Sequence, residues 1–169
     1  MPEYLKSIEN QTWHIVFRAD SASGYKMFIQ NTRVTSDFET SVNQRTGFYI
    51  IISDSFIQTI FFRGKRLDLV NIQSDIGNVD LSVGLHSVTV TYLRSSHTIV
   101  LYFDGALLAT ASAHPDVMDS VISWETAESI YINRFHNVGP AGNTDYHRLA
   151  VFDKTLAQDE VLALHNESQ

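Results

Sequence analysis

The sequence predicts an all-β protein of antiparallel strands, and three observations lead to that fold class. Residues 84–109 read GLHSVTVTYLRSSHTIVLYFDGALLA, in which polar and apolar residues alternate over 87–92, as in a strand with one buried face. An apolar run at 99–103 precedes Asp104-Gly105, a pair suited to the positive φ angles of a type I′ hairpin turn. Roughly ten short strands separated by turn signals run along the chain, which is typical of a sandwich or a barrel.

The other elements follow from the same reasoning. Strands are predicted at 12–18, 25–30, 48–52, 56–62, 67–72, 129–135 and 147–152, with loops at 31–46 and 73–82 and a hairpin turn at 53–55. One helix is predicted near the C-terminus, with Thr155 as N-cap and Gln158 completing a capping box. Its apolar stripe is Ala157, Val161 and Leu164. The segment 115–120 also allows a short helix.

Composition narrows the class of protein. The chain has 169 residues with 44% apolar residues, so one domain over 1–169 is expected. Its net charge of −7 argues against nucleic acid, because phosphate binding needs a concentrated basic surface. The absence of cysteine excludes disulfides and thiolate metal sites. Without a leader-like or membrane-spanning segment, we expect a virion-surface or extracellular location after assembly or lysis, and otherwise a cytoplasmic one.

Three segments together resemble a known family. The segments 84–92 (GLHSVTVTY) and 99–109 (IVLYFDGALLA) resemble the core of the concanavalin A-like, laminin-G-like jelly rolls, in which Trp-His begins a strand and a Tyr-x-Asp-Gly hairpin follows. His86, Tyr102, Asp104 and Gly105 hold those places, while Leu85 replaces the usual Trp. The opening 12–20 (TWHIVFRAD) resembles the family's first strand, and 146–166 resembles its closing strand and helix, with Leu156, Glu160 and Val161 matching. The resemblance implies a two-sheet antiparallel jelly-roll β-sandwich with a short C-terminal helix.

The matching residues have structural explanations. Asp104 and Gly105 are expected to form a turn, since both residue types tolerate positive φ. His86 is expected to pack or hydrogen-bond at the start of its strand. Glu160 is expected to support the helix rather than take part in chemistry.

Catalytic patterns are weak in this sequence. Enzymes of the family that the chain resembles are glycan hydrolases, and retaining hydrolysis needs two carboxyl groups about 5 Å apart on one face. Glu125 and Glu128 would lie on opposite faces of a strand, and Asp37 and Glu39 lie in a predicted loop. No Gly-x-Ser-x-Gly motif occurs. A serine–histidine–carboxylate triad is assembled from residues that are distant in the sequence, so the absence of this motif does not exclude one. We predict that the protein is not an enzyme.

Metal binding is predicted through oxygen ligands. The seven histidines show no His-x-His or His-x-x-x-His pair of the kind that seeds a zinc site. The family resemblance implies calcium at the sandwich rim, for which Asp20, Asn143 and Asp145 are the candidate ligands. Aspartate and asparagine in turns have the alternative role of satisfying the backbone.

Ligand recognition is predicted in the segment 124–145. Aromatic faces stack on sugar rings, while Asn and Asp side chains hydrogen-bond hydroxyl groups. The candidate ligand-binding residues are Trp124, Phe135, His136, Asn143 and Asp145. The alternative is that Trp124 and Phe135 are packing residues.

The sequence is compatible with two functions. The first is a non-catalytic, lectin-like recognition module that binds carbohydrate or a cell-surface protein through rim loops or a concave face. The second is a structural virion subunit, such as a phage capsid decoration or tail protein, that acts through contacts with other virion subunits. Either role is compatible with a homo-oligomer.

Overall fold

The structure, a computed structural model, describes residues 10–19, 25–35, 44–53, 55–63, 67–77, 79–112, 131–132, 134–135, 138–140 and 144–169. In chain order the strands are β1 (Gln11–Ala19), β2 (Tyr25–Thr35), β3 (Gln44–Ser53), β4 (Phe56–Arg63), β5 (Leu67–Asp75), β6 (His86–Leu93), β7 (Thr98–Phe103), β8 (Ala106–Ser112), β9 (Tyr131–Ile132), β10 (Arg134–Phe135), β11 (Val138–Pro140) and β12 (Thr144–Phe152). The helix α1 spans Gln158–Asn166 and closes the chain. None of the described helical residues form a span long and apolar enough to cross a membrane.

Two five-stranded antiparallel sheets form a sandwich, which confirms the predicted fold class. The first sheet has the order β12-β1-β6-β7-β8, and the second has the order β5-β4-β3-β2-β9. Strands β10 and β11 form a separate two-stranded ribbon. The first sheet therefore places the first of the described strands beside the last of them, with β1 paired to both β12 and β6.

The core lies between the two sheets and follows the predicted alternation. Trp13, Ile15 and Phe17 of β1 are fully buried, as every second residue of a strand with one inward face should be. The other sheet contributes isoleucines to the same cluster, among them Ile29 and Ile50, which are also fully buried. One continuous apolar layer therefore joins both sheets.

Several strands are longer than their apolar residues predicted. The segment 31–46 was expected to be a loop, yet β2 continues to Thr35 and β3 begins at Gln44, with Thr35 opposite Gln44 in the register. Strand β5 extends to Asp75 and β12 starts at Thr144. Ladder hydrogen bonds are made by the backbone, so polar side chains do not end a strand that has a neighbour to pair with. The short helix allowed at 115–120 lies outside the described residues.

The predicted strand at 129–135 also needs correction. Its described residues belong to two separate strands, β9 and β10, of two residues each. Strand β9 pairs with β2, whereas β10 pairs with β11. The segment therefore contributes to two different sheets, a division that strand propensity alone does not reveal.

The predicted helix is present but begins differently. Its N-cap residue is Ala157, and Glu160 reaches back to accept a 2.8 Å hydrogen bond from the Ala157 N–H. Thr155 is therefore not the cap, since its hydroxyl instead donates to the Tyr92 carbonyl at 3.1 Å. Val161 is fully buried as predicted, whereas Ala157 is exposed. Glu160 has the supporting role that the sequence indicated.

Candidate functional site

Helix α1 covers the outer face of the first sheet. Side chains that alternate with the core residues, among them Thr12 and His14 of β1 and Thr89 of β6, point away from the core and are nevertheless buried. A second apolar cluster joins this face to the helix segment through Tyr102, Leu156 and Val161. The middle of this face is therefore covered by the protein's own helix.

His14 lies in the polar layer beneath that helix. Its Nδ1 is 2.8 Å from the Thr89 hydroxyl oxygen, and its Nε2 is buried without a hydrogen-bond partner. Burial lowers the pKa of His14 to about 4, with further lowering from the positive charges of Arg148 and His165. The imidazole is therefore neutral at physiological pH, and its place in the molecule is structural.

His86 and Asp104 anchor the turn between β7 and β8. Asp104 and Gly105 have φ angles of 49° and 75°, and Phe103 pairs with Ala106, which confirms the predicted type I′ hairpin. The Asp104 carboxylate also lies 2.9 Å from His86 Nδ1 and accepts a 2.8 Å bond from the Ser87 N–H. His86 is buried, so the expectation that it packs and hydrogen-bonds is confirmed. Asp104 therefore fastens β6 as well as forming the turn.

Ser87 and His165 are the described pair that most resembles a nucleophile and its base. The Ser87 hydroxyl oxygen lies 2.9 Å from His165 Nδ1. Ser87 is only 1% exposed, so a substrate carbonyl has no access to it. The nearby carboxylate of Asp104 bonds to His86 and to the Ser87 backbone. The pair therefore links β6 to the helix rather than serving catalysis.

The carboxylates weighed for catalysis in the sequence (Asp37, Glu39, Glu125 and Glu128) lie outside the described residues. Within the described ranges, no group of three His, Asp or Glu side chains is arranged to hold a metal ion. The prediction that the protein is not an enzyme therefore stays a prediction for the whole chain.

An exposed pair of opposite charges lies at one end of the first sheet. Arg18, near the end of β1, faces Asp145 near the start of β12, and the guanidinium Nη2 is 3.0 Å from the carboxylate Oδ2. Both side chains are more than half exposed, at 51% and 66%. A register shift between Val16 and Phe17 lies just before Arg18 in β1. We call Arg18 and Asp145 the rim pair. Beside the bond between them, the guanidinium has further N–H donors and the carboxylate has further acceptor positions for a ligand.

The predicted site residues are only partly placed. Asp145 was expected in a loop, but it belongs to β12 and its carboxylate is engaged by Arg18. Phe135 lies in β10. Asp20, Trp124, His136 and Asn143 lie outside the described residues, so the predicted calcium and ligand sites stay predictions. Arg18 was missed, although a charged residue closing an otherwise apolar strand is a signal for a rim position.

Comparison with known proteins finds solved structures of similar fold. No protein-family model matches the sequence, and no curated protein matches it. The carbohydrate-binding module CBM40 of Ruminococcus gnavus IT-sialidase, bound to α2,3-sialyllactose, is similar with a TM-score of 0.65 and 14% identity, covering 95% of this chain and 85% of that one. The binding domain of botulinum neurotoxin DC in complex with SialylT has a TM-score of 0.63 and 14% identity over 95% of this chain. The same domain in complex with rat synaptotagmin II has a TM-score of 0.64 and 13% identity over 95% of this chain.

These likenesses establish the architecture. The chain spans only 36% of each of these two toxin chains, whereas it spans most of the CBM40 chain. All are concanavalin A-like jelly rolls, and the sandwich described above has that fold, as the sequence resemblance implied. At identities of 13% to 14% the likeness extends to fold and no further.

Proposed function

We propose that this protein is a non-catalytic glycan-binding module that takes sialylated glycans at the rim pair. The observation that carries the proposal is the similarity to CBM40, a single binding module matched over 85% of its length, whose structure holds α2,3-sialyllactose. A second similar structure is described with SialylT, which indicates the same class of ligand. The similarity to the toxin domains covers only 36% of those larger chains, so they support the proposal less directly.

The rim pair has the chemistry that an acidic sugar needs. A sialic acid carries one carboxylate and several hydroxyl groups, and a guanidinium binds a carboxylate through two parallel hydrogen bonds. The Asp145 carboxylate can accept from hydroxyl groups beside it. Because the whole chain carries a net charge of −7, long-range attraction does not bring an anionic sugar to the protein. Selection of the ligand therefore depends on local contacts such as that of Arg18.

The arrangement of the first sheet supports a location at the rim. Helix α1 occupies its outer face, and the second sheet occupies its inner face through the shared core. Arg18 and Asp145 are exposed side chains at the ends of two neighbouring strands of this sheet, so they are accessible for contact.

The Arg18→Gln variant tests this assignment. We expect its affinity for α2,3-sialyllactose, measured by calorimetry, to fall by about tenfold or more, since a hydrogen bond to a charged group is worth about 1.5–3 kcal/mol. The melting temperature should stay nearly unchanged, because an exposed ion pair contributes little to stability. Lactose, which lacks the carboxylate, should bind the wild-type protein more weakly.

Arg94→Gln is the matched control. Arg94 follows β6 at the opposite end of the first sheet, where its N–H bonds to Asn10, roughly 25 Å away by the rise of the intervening strand. Sialyllactose affinity should not change in this variant. Equal affinities in Arg18→Gln and wild type would remove the rim pair from the site. Failure of the wild-type protein to bind sialylated or neutral glycans would overturn the proposed function itself.

A protein ligand is the second candidate. The similar toxin domain described in complex with rat synaptotagmin II favours it, since a fold of this kind is there combined with a protein partner. None of the similar structures named above is described as a virion protein, so the assembly role and a homo-oligomer stay predictions. Calcium at Asp20, Asn143 and Asp145 is likewise a prediction, and the ion pair with Arg18 competes for the Asp145 carboxylate.

A further inference from the structure

A row of polar side chains lies buried on the outer face of β1 and β6. They alternate in the sequence with core residues such as Trp13 and Ile15, and none of them is more than 1% exposed. These side chains, here called the polar band, are Thr12 and His14 of β1 and Ser87, Thr89 and Thr91 of β6. A buried polar atom is costly unless it is hydrogen-bonded. Among the described residues, His14 Nε2 and Thr91 Oγ1 have no such partner, so the cover over the polar band is incompletely matched to it.

Helix α1 passes over the middle of the polar band. Just before the helix, the Leu156 N–H donates to Thr12 Oγ1 at 3.0 Å. Near the end of the helix, His165 Nδ1 lies 2.9 Å from the Ser87 hydroxyl oxygen. In the register of β1 with β6, His14 lies between these two contacts. The helix that joins them therefore covers His14.

A proton on His14 would find no negative charge beneath the helix. Arg148 of β12 and His165 of α1 both act on the ring with positive charge, and β6 contributes the neutral hydroxyl of Thr89. The carboxylate of Glu167 lies 4.0 Å from Arg148 and does not bond to the ring. An imidazolium carries an N–H on both nitrogens, and at Nε2 that N–H would be buried without an acceptor.

The helix is held less firmly than the strands beneath it. Val161 is the one buried side chain of α1, and Leu162 beside it is 46% exposed. Strand β1 is held from its other face by the core that joins both sheets, to which Trp13, Ile15 and Phe17 belong. Elements with few buried apolar contacts open at a lower free energy than the core does. Opening of the helix alone is therefore enough to bring water to His14.

We propose that α1 is a cap released by acid: a proton on His14 frees the helix from the polar band while the core between the sheets stays packed. Release hydrates the charged ring and uncovers the hydroxyl groups beside it. The pKa of His14, lowered to about 4 beneath the helix, gives the direction of the response. The hold on the helix is complete above 6.5, the ordinary value of the ring, and is lost as the pH falls toward 4. This release does not depend on glycan binding.

Amide hydrogen exchange measured by NMR between pH 7 and pH 4.5, at low urea concentrations, tests the release. The α1 amides include those of Val161 and Glu167, which donate to helix carbonyl groups. We expect them to exchange through an opening that urea barely promotes, since it exposes little surface. Their protection should fall by about fiftyfold over this pH range, because uptake of a proton by the released ring shifts the equilibrium nearly tenfold per pH unit. Exchange of α1 only together with β1 and β6, with the same urea dependence, would overturn the proposal, and so would helix protection that does not change with pH.

His14→Gln separates the titrating ring from the other helix contacts. Glutamine can still bond to Thr89 but takes up no proton, so the α1 protection should lose most of its pH dependence. His147→Gln, the same change at an exposed position of β12, is the matched control and should keep the wild-type dependence. Equal pH dependence in His14→Gln and the wild type would contradict the proposal.

Val161→Ala tests the cap without changing a titratable group. Loss of the buried methyl groups should lower the α1 protection by about tenfold or more at every pH, while the wild-type pH dependence is kept. Protection that this variant leaves unchanged would show that the α1 amides do not exchange by release from the sheet. That result would overturn the proposal even if His14→Gln failed to fold.

Discussion

Two buried histidines of this protein respond to acid in opposite ways because their neighbours differ. His14 lies beneath the helix near Arg148 and His165, and both burial and charge keep its ring neutral. His86 faces a carboxylate and carbonyl groups that favour its proton. Acidification therefore works against the helix-covered face while favouring the His86–Asp104 pair at the β7–β8 turn.

His14 predicts a loss of stability below neutral pH. Its pKa is about 4 in the folded protein and 6.5 in the unfolded chain, so the unfolded state binds the proton first. The stability it contributes is fully present above 6.5 and is lost as the pH falls toward 4, by roughly 3 kcal/mol at most. Urea unfolding at pH 7 and at pH 4.5 measures the difference.

His14→Gln should show a smaller loss of unfolding free energy between those two pH values, because glutamine does not titrate. The control is His147→Gln, the same change at an exposed position of β12, which should keep the wild-type dependence. If His14→Gln retained the full wild-type dependence, the acid sensitivity would have to come from other groups.

The rim pair shows which part of a site the sequence can predict. Asp145 was found from its composition, because aspartate near glycine, proline and asparagine indicates a rim segment. Its partner Arg18 is 127 positions away in the chain, and nothing local to either residue indicates the contact. The pairing depends on β12 lying beside β1, which is a property of the whole sheet.

At the scale of elements, the β7–β8 hairpin and helix α1 pack against each other at Gly105. This glycine has a φ of +75°, and a Cβ added there would lie 2.9 Å from Leu162 Cδ1 and 3.2 Å from His165 Cβ. Gly84 has a similar φ of +83° but nothing within 4 Å of the same position. A substitution at Gly84 therefore measures the cost of backbone strain alone, whereas one at Gly105 adds the cost of steric contact with the helix.

Gly105→Val should destabilise the protein by about 2 kcal/mol or more, because it adds the collision with the helix to the strain of the turn. Gly84→Ala should cost about 1 kcal/mol, through strain alone. Unfolding free energies in urea measure both. Combining Gly105→Ala with Leu162→Ala should recover part of the loss in Gly105→Ala, since the contact at 2.9 Å is removed. No recovery would mean that the helix does not crowd this turn.

The elements were predicted wherever side chains alternate or turn residues are adjacent. The hairpin at Asp104-Gly105 and the helix around Val161 depend on neighbouring residues, and both were found. The polar ends of β2 and β3 were not, because their pairing of Thr35 with Gln44 is specified by the strands facing each other. Thr155 was assigned as the cap for a similar reason, since its bond to Tyr92 is a tertiary contact.

At the scale of the molecule, one core joins both sheets. Trp13 of the first sheet and Ile50 of the second belong to the same fully buried cluster. The sheets therefore cannot lose their packing independently, and we expect a single cooperative unfolding transition.

Fluorescence and circular dichroism test this expectation. The chain has two tryptophans, so Trp124→Phe leaves Trp13 as the reporter of the core. Its emission and the far-ultraviolet sheet signal should change with the same midpoint in urea. Separate midpoints in this variant would show that part of a sheet persists after the core has opened.

The position of β1 between β6 and β12 has a consequence for biosynthesis. During translation β6 is synthesised well before β12. The edge of β1 that pairs with β12 therefore stays unpaired while the residues between them are made. An open edge of this kind is a template for another polypeptide. Nascent copies on one polysome are therefore most exposed to mispairing with each other at β1, until β12 has been synthesised and pairs with it.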